Sequence, residues 1–179
     1  YTPDYFVYGV RNDCGMFYII KLPDNSLFLI DGGQREQATD AAAAEALRVM
    51  RELSETPDGQ KIRIAAWFCT HAHDDHVDMF GKLLRVYQNQ FEVERAIFNL
   101  PSQELYSLMP QTYVVLDRLK KYFPYAKYLK PYTGQNFELA GVKFEFLQTH
   151  EAGTRTLGTE KIGNFNDTSA ILKISFEGV

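Results

Sequence analysis

The run Ile62 to Thr70 constrains the fold more than any other part of the sequence, because it is apolar almost throughout, with Arg63 the one charge inside it. A strand with one wet face alternates apolar and polar residues, whereas a strand covered on both faces reads as a continuous apolar run. This run therefore calls for a layer on each side of a central sheet. It also falls far short of the ~20 residues that a membrane-spanning helix needs, so no segment here is expected to cross a bilayer.

Weaker signals surround it. Tyr5 to Tyr8, Met16 to Leu22 and Leu27 to Ile30 read as strands, and Pro23-Asp24-Asn25-Ser26 supplies the turn of a hairpin between the last two. After Asp31-Gly32-Gly33, the stretch Ala38 to Leu53 spaces Ala43, Ala46, Leu47, Met50 and Leu53 by threes and fours, which predicts an amphipathic helix closed by Pro57-Asp58-Gly59. The positions of Met79, Leu83, Leu84, Val86 and Tyr87 suggest a second helix from Asp78, acting as its cap, to about Phe91. A strand over Val93 to Phe98 then completes a βαβ rhythm. Pro110 opens a third helix that buries Val114, Val115, Leu119, Tyr122 and Phe123 and stops at Pro124. The remainder is β-rich: strands at Phe137 to Leu139, Val142 to Thr149 and Thr168 to Phe176, turns at Gly134 and Ala140-Gly141, and a loop from Gly153 to Asp167. No short repeat or low-complexity segment interrupts this order.

A chain of 179 residues with 45% hydrophobic and 23% charged residues fits one globular domain over residues 1–179 and excludes disordered, collagen-like and coiled-coil classes. The net charge of −4 argues against a surface built for sequence-independent grip on nucleic acid, though a local basic groove is compatible with it. Cys14 and Cys69 stand far apart and outside any CxxC pair, so both read as buried small hydrophobes. The chain starts at Tyr1 without a targeting pattern, which leaves localisation open. Ile171 to Val179 reads as a strand meeting a Glu177-Gly178 turn with nothing after it, as expected of the N-terminal portion of a longer domain.

Chemistry concentrates in Thr70-His71-Ala72-His73-Asp74-Asp75-His76, which holds three of the four histidines at the end of the buried run. Imidazoles and a carboxylate are the donors that zinc, iron or manganese accept, and a turn after a strand lets neighbouring residues converge. A solvated histidine-rich loop is the plainer alternative. Asp74 reads as solvated.

The pattern His71-x-His73-x-Asp75-His76 resembles the metal-binding motif of the metallo-β-lactamase superfamily. Ser26-Leu-Phe-Leu-Ile-Asp-Gly-Gly33 looks like that family's early strand and Asp-Gly turn. Tyr132 to Leu147 and Asn166-Asp167-Thr168-Ser169-Ala170-Ile171-Leu172 are similar to the branch found in bacterial DNA-uptake competence proteins. The resemblance implies an α/β (α+β) fold, a metallo-β-lactamase-like αββα four-layer sandwich represented mainly by its first half. It further implies a metal-dependent hydrolase with a dinuclear, zinc-type site, manganese or iron being the alternatives. His71 and His73 would hold one ion together with Asp167, or with Asn166 or His150 in its place. Asp75 and His76 would hold the second, and Asp75 would also orient the attacking water. Asp31 would support the loop from beneath. A Gly-Asp turn with a bridging acid and a last histidine, which the family carries further on, have no counterpart in the sequence.

The implied substrate is a small molecule or a phosphodiester; a second reading is a non-catalytic metal-binding or scaffolding module. Arg118, Lys120, Lys121, Lys127 and Lys130 interleave with Tyr122, Phe123, Tyr125, Tyr128 and Tyr132, which suits phosphate contacts with base stacking. The same pattern suits a helix with a buried aromatic face and a basic outer face. Asp31-Gly32-Gly33 lacks the spacing and the lysine of a phosphate-binding loop.

Overall fold

The computed structural model describes residues 6–10, 15–34, 39–101, 110–151 and 165–176. Seven strands form one mixed sheet: β1 (Phe6–Gly9), β2 (Phe17–Lys21), β3 (Leu27–Asp31), β4 (Ile62–Cys69), β5 (Phe91–Val93), β6 (Arg95–Phe98) and β7 (Lys127–Leu129). The order is β1-β2-β3-β4-β6-β7, with β5 pairing the first half of β4. β1, β2 and β3 run antiparallel as a meander, whereas β3, β4, β6 and β7 run parallel. A second, antiparallel sheet has the order β10-β9-β8, from β8 (Asn136–Leu139), β9 (Val142–Gln148) and β10 (Ile171–Ser175).

The continuous apolar run is explained by what covers β4. Ile62, Ile64, Trp67 and Cys69 join the core shared with helices α1 (Asp40–Leu53), α2 (Asp74–Tyr87) and α3 (Pro110–Tyr122). Ala65, Ala66 and Phe68 join a second core against the smaller sheet. Two consecutive residues face the same way because the register shifts: Leu27 pairs with Ile64 but Phe28 with Ala66. Such a bulge resets the alternation of a strand. Aromatic pairs hold the layers, with Phe28 stacked on Phe144 at 4.4 Å and Trp67 on Phe80 at 4.6 Å. Helices on one face and a second sheet on the other make three layers, α, β and β, among the described residues.

Most elements follow the sequence pattern. The hairpin of β2 and β3 turns at Asn25, whose φ is 62° and whose side chain suits that left-handed conformation. Thr39 caps α1 by accepting from the Ala42 N–H. Ala43, Ala46 and Met50 are buried as expected, Val49 joins them, and Leu47 and Leu53 pack at the margin.

Four expectations are corrected. Helix α2 begins at Asp74, four residues before Asp78, and its N-cap is His73. Asp75 and His76 therefore stand in a helical first turn; acids there favour the helix dipole, a polar signal that apolar spacing overlooks. Asp78 is buried within the helix and Asp74 is half-buried. The strand expected from Thr168 starts at Ile171, because Phe165–Thr168 forms a 3₁₀ turn. The single strand at Val93 to Phe98 is two, separated at Glu94, whose N–H bonds the Ile64 carbonyl. Strand β7 was not expected, since Lys127, Tyr128 and Leu129 are too few to show alternation. Cys14 and most of the Gly153–Asp167 loop lie outside the described residues; Cys69 is buried as expected.

Candidate metal centre

Strand β4 ends at Cys69 and α2 begins at Asp74, so the motif residues lie on the short turn between them and on the first helical turn. Three contacts fix that turn. Trp67 stacks on Phe80 of α2, the Ala170 N–H donates to the Thr70 carbonyl at 2.9 Å, and Thr112 Oγ1 of α3 donates to the Ala72 carbonyl at 3.0 Å. The end of β3 closes against α2 as well: the N–H groups of Asp78 and Phe80 donate to the carbonyls of Gly33 and Gly32, both at 3.0 Å. Gly32 permits this approach, because a Cβ there would lie 2.8 Å from the Phe80 backbone nitrogen.

Asp31 is the hub of the site. It is fully buried, with φ 59°, a conformation that aspartate tolerates better than most residues. Its Oδ1 accepts from the Thr70 N–H at 2.7 Å, and its Oδ2 lies 2.8 Å from Thr70 Oγ1 and 2.7 Å from His76 Nδ1. The Thr70 hydroxyl has one proton, and a carboxylate at that distance takes it. Thr70 Oγ1 can then only accept from His71 Nδ1, 3.0 Å away. Both imidazoles are thereby held with a proton on Nδ1 and a lone pair on Nε2. Carboxylate or hydroxyl support on the far nitrogen orients a metal-ligating histidine in this way. Asp31 is hydrogen-bonded to the loop as expected, and Thr70 is a positioning residue that carries no signal in the sequence.

The two Nε2 atoms face partners of opposite kinds. His71 Nε2 lies 3.0 Å from His73 Nδ1, and the rings are nearly perpendicular at 76°. His76 Nε2 lies 3.7 Å from Asp75 Oδ2. The four motif residues thus come together as two donor pairs, and the His71 and His76 ring centroids are 4.0 Å apart. Among the described residues, no three His, Cys, Asp or Glu side chains converge as a set able to hold one ion. The pairs nevertheless fit a metal in their donor chemistry. Two nitrogens on one tetrahedral zinc, at ~2.0–2.1 Å each, stand roughly 3.3 Å apart, a few tenths more than His71 and His73 show.

Of the third-ligand candidates, Asn166 hydrogen-bonds His71 through its side chain, and Asp167 follows it on the same 3₁₀ turn. Both are exposed. His150, mostly buried, has Nδ1 3.5 Å from Glu151 Oε2 and is bonded to the Asn99 backbone.

Burial, followed by the neighbouring His76 and His73, pushes the His71 imidazole down to about 4 from an ordinary 6.5, against smaller opposing effects of Asp75 and Asn166. Burial is also the largest effect on His76 and disfavours its charged form, but the bond to Asp31 and the negative charges of Asp31 and Asp75 together outweigh it and raise the pKa. In metal-free protein the unfolded chain takes up the His71 proton below about pH 6.5 and the folded chain only near 4. The stability contributed by neutral His71 is complete above that window and is lost as the pH falls through it. His76, raised, works in the opposite sense: its contribution is complete below 6.5 and is lost as the pH rises through its folded value. Urea midpoints of metal-free protein should therefore decline from pH 6.5 toward 4, and His71→Gln should flatten the decline. An identical slope in the variant would contradict this assignment.

The architecture is the metallo-β-lactamase fold. Solved structures share it across nearly the whole chain: a metallo-β-lactamase HARLDQ-motif mutant, S60, from Cronobacter sakazakii superposes with a TM-score of 0.54 at 18% identity, covering 97% of this chain and 58% of its own. The metallo-β-lactamase fold protein YhfI from Bacillus subtilis superposes with a TM-score of 0.53 at 14% identity, covering 97% and 59%. The chain thus spans somewhat under two thirds of the length of these structures. No family model matches the sequence, and no curated protein matches it.

Proposed function

We propose that the protein is a metal-dependent hydrolase of the metallo-β-lactamase superfamily, of the DNA-uptake competence branch, acting on a phosphodiester. The observation that carries this reading is the hydrogen-bond network of Asp31: its Oδ2 lies 2.7 Å from His76 Nδ1 and 2.8 Å from Thr70 Oγ1, which lies 3.0 Å from His71 Nδ1, so the Nε2 atoms of His76 and His71 are left to face Asp75 and His73. An aspartate with no such task has little reason to sit fully buried in a left-handed conformation at the base of three histidines. The HARLDQ motif of the Cronobacter sakazakii protein has Arg and Gln in its third and sixth places, whereas the third and sixth residues of the His71 to His76 segment are His73 and His76.

In this reading His71 and His73 hold one divalent ion and Asp75 and His76 a second, zinc in the first place and manganese or iron otherwise. The third donor to the first ion comes from the Phe165–Thr168 turn, Asp167 ahead of Asn166, with His150 the remaining candidate. The bridging acid and last histidine come from protein beyond this chain, in keeping with its span of 58–59% of the superposed structures. Two ions so held supply Lewis acidity and a water of lowered pKa. The protein's own part is orientation. Asp75 accepts a hydrogen bond from the attacking water and aims it. Asp31 accepts from the His76 Nδ1–H, orients the ring and offsets positive charge on it.

The pairwise donor set favours one other reading, a module that binds metal without turnover. Hydrolysis of bis(p-nitrophenyl) phosphate by the longest natural form of the chain, with zinc or manganese supplied, separates the two. Turnover that falls at least about a hundredfold in Asp75→Ala supports the hydrolase. No turnover, or turnover indifferent to Asp75, supports the module.

A further inference from the structure

A cavity of about 720 Å³ opens at the end of the sheet opposite the metal centre, where β4, β5, β6 and β7 begin and α3 ends. Strand β4 separates the two by its own length, roughly 20 Å or more at ~3.3 Å per residue. The volume lies within the range of small-molecule sites. Lys61, Arg95, Lys121 and Lys127 line it with Tyr122 and Tyr125, in a chain whose net charge is −4. Glu92 and Glu94 are the acids of the lining, and Glu94 is already engaged by Arg95 at 2.6 Å and by Arg63. Lys61, Lys121 and Lys127 are exposed and form no ion pair among the described residues. Lys121 Nζ stands 5.3 Å from the Tyr122 ring centre, and Tyr125 is 98% exposed on the turn after α3. By contrast Arg118, in the same basic stretch, is committed to the Gly81 carbonyl and packs α3 on α2.

Three ammonium groups without an ion pair among the described residues, beside an outward-facing ring, suit a ligand with both an anionic group and a flat aromatic face. We propose that this cavity binds a nucleotide, free or at the end of a single strand, its phosphate on Lys61, Lys121 and Lys127 and its base on Tyr125. The site is distinct from the metal centre and stands whether or not that centre turns substrate over. An acidic peptide would satisfy the lysines but leave the tyrosine unused.

Fluorescence anisotropy of a short labelled oligothymidylate tests the proposal, with thymidine monophosphate, inorganic phosphate and polyglutamate as competitors. The variants are Tyr125→Ala, the pair Lys121→Glu with Lys127→Glu, and Asp75→Ala at the metal centre. All three cavity side chains are exposed, so these changes leave folding intact. Affinity should fall about tenfold or more in Tyr125→Ala and in the lysine pair, weaken with salt, and remain unchanged in Asp75→Ala. Equal competition by the monophosphate identifies the free nucleotide as ligand, and competition only by the strand identifies its end. The proposal is overturned by absent binding, by indifference to the cavity variants, by loss in Asp75→Ala, or by phosphate or polyglutamate competing as well as the nucleotide.

Discussion

Asp31→Ala is expected to cost about 3–5 kcal/mol of stability, the range found when one partner of a buried ionic pair is removed. The wild-type carboxylate answers the Thr70 N–H, the Thr70 hydroxyl and the His76 Nδ1–H in a place without solvent. Alanine leaves these donors without an acceptor and must itself hold φ at 59°, where a Cβ is strained. Asp31→Asn separates stability from metal binding. Its carbonyl can still accept from Thr70, and asparagine tolerates the left-handed backbone, so the stability loss should be smaller, about 1–2 kcal/mol. Its amide, however, would present a donor to His76 Nδ1 and drive the proton to Nε2, removing the lone pair needed for a metal. Zinc affinity should fall roughly 10- to 100-fold, the usual cost of losing such support. Urea unfolding and calorimetric zinc titration of both variants check the pair of statements. Equal stability losses in the two, or unaltered zinc affinity in Asp31→Asn, would contradict them.

His71→Ala and Asp75→Ala are expected to remove at least one bound ion each and to lower any hydrolysis at least about a hundredfold. Their effects on folding should differ. Asp75 is partly exposed on the first turn of α2, so its truncation should leave the urea midpoint nearly unchanged. His71 is buried at 3% exposure against Thr70, His73 and His76, and its truncation opens a polar cavity. Elemental analysis of both variants beside wild-type protein decides the matter, with circular dichroism to establish folding. Unchanged metal content in either folded variant would remove that residue from the ligand set.

Much of this was legible in the sequence, for identifiable reasons. The run Ile62 to Thr70 announced a strand covered on both faces because burial on both sides leaves no place for alternation. The hairpin was legible through Pro23 to Ser26, and the motif through the rarity of such histidine crowding at a strand end. The start of α2 was hidden because Asp74, Asp75 and His76 are polar and contribute nothing to apolar spacing; their helical role lies in dipole and capping effects. Strand β7 was hidden by its length. Thr70 and Gly32 carry no signal of their own. The first matters only because folding sets it between Asp31 and His71, and the second only because Phe80 arrives above it. The third ligand stays beyond sequence patterns for the same reason: Asn166, Asp167 and His150 all have suitable atoms, and their distance from His71 is decided by how the second sheet docks on the first.

If the His71 to His76 segment is a working metal centre, the protein retains metal through purification. Elemental mass spectrometry of protein purified without chelator tests it most directly, on this chain and on its longest natural form. About two equivalents of zinc, manganese or iron are expected in the long form and fewer in this chain. No metal in either, with the protein folded, would contradict it.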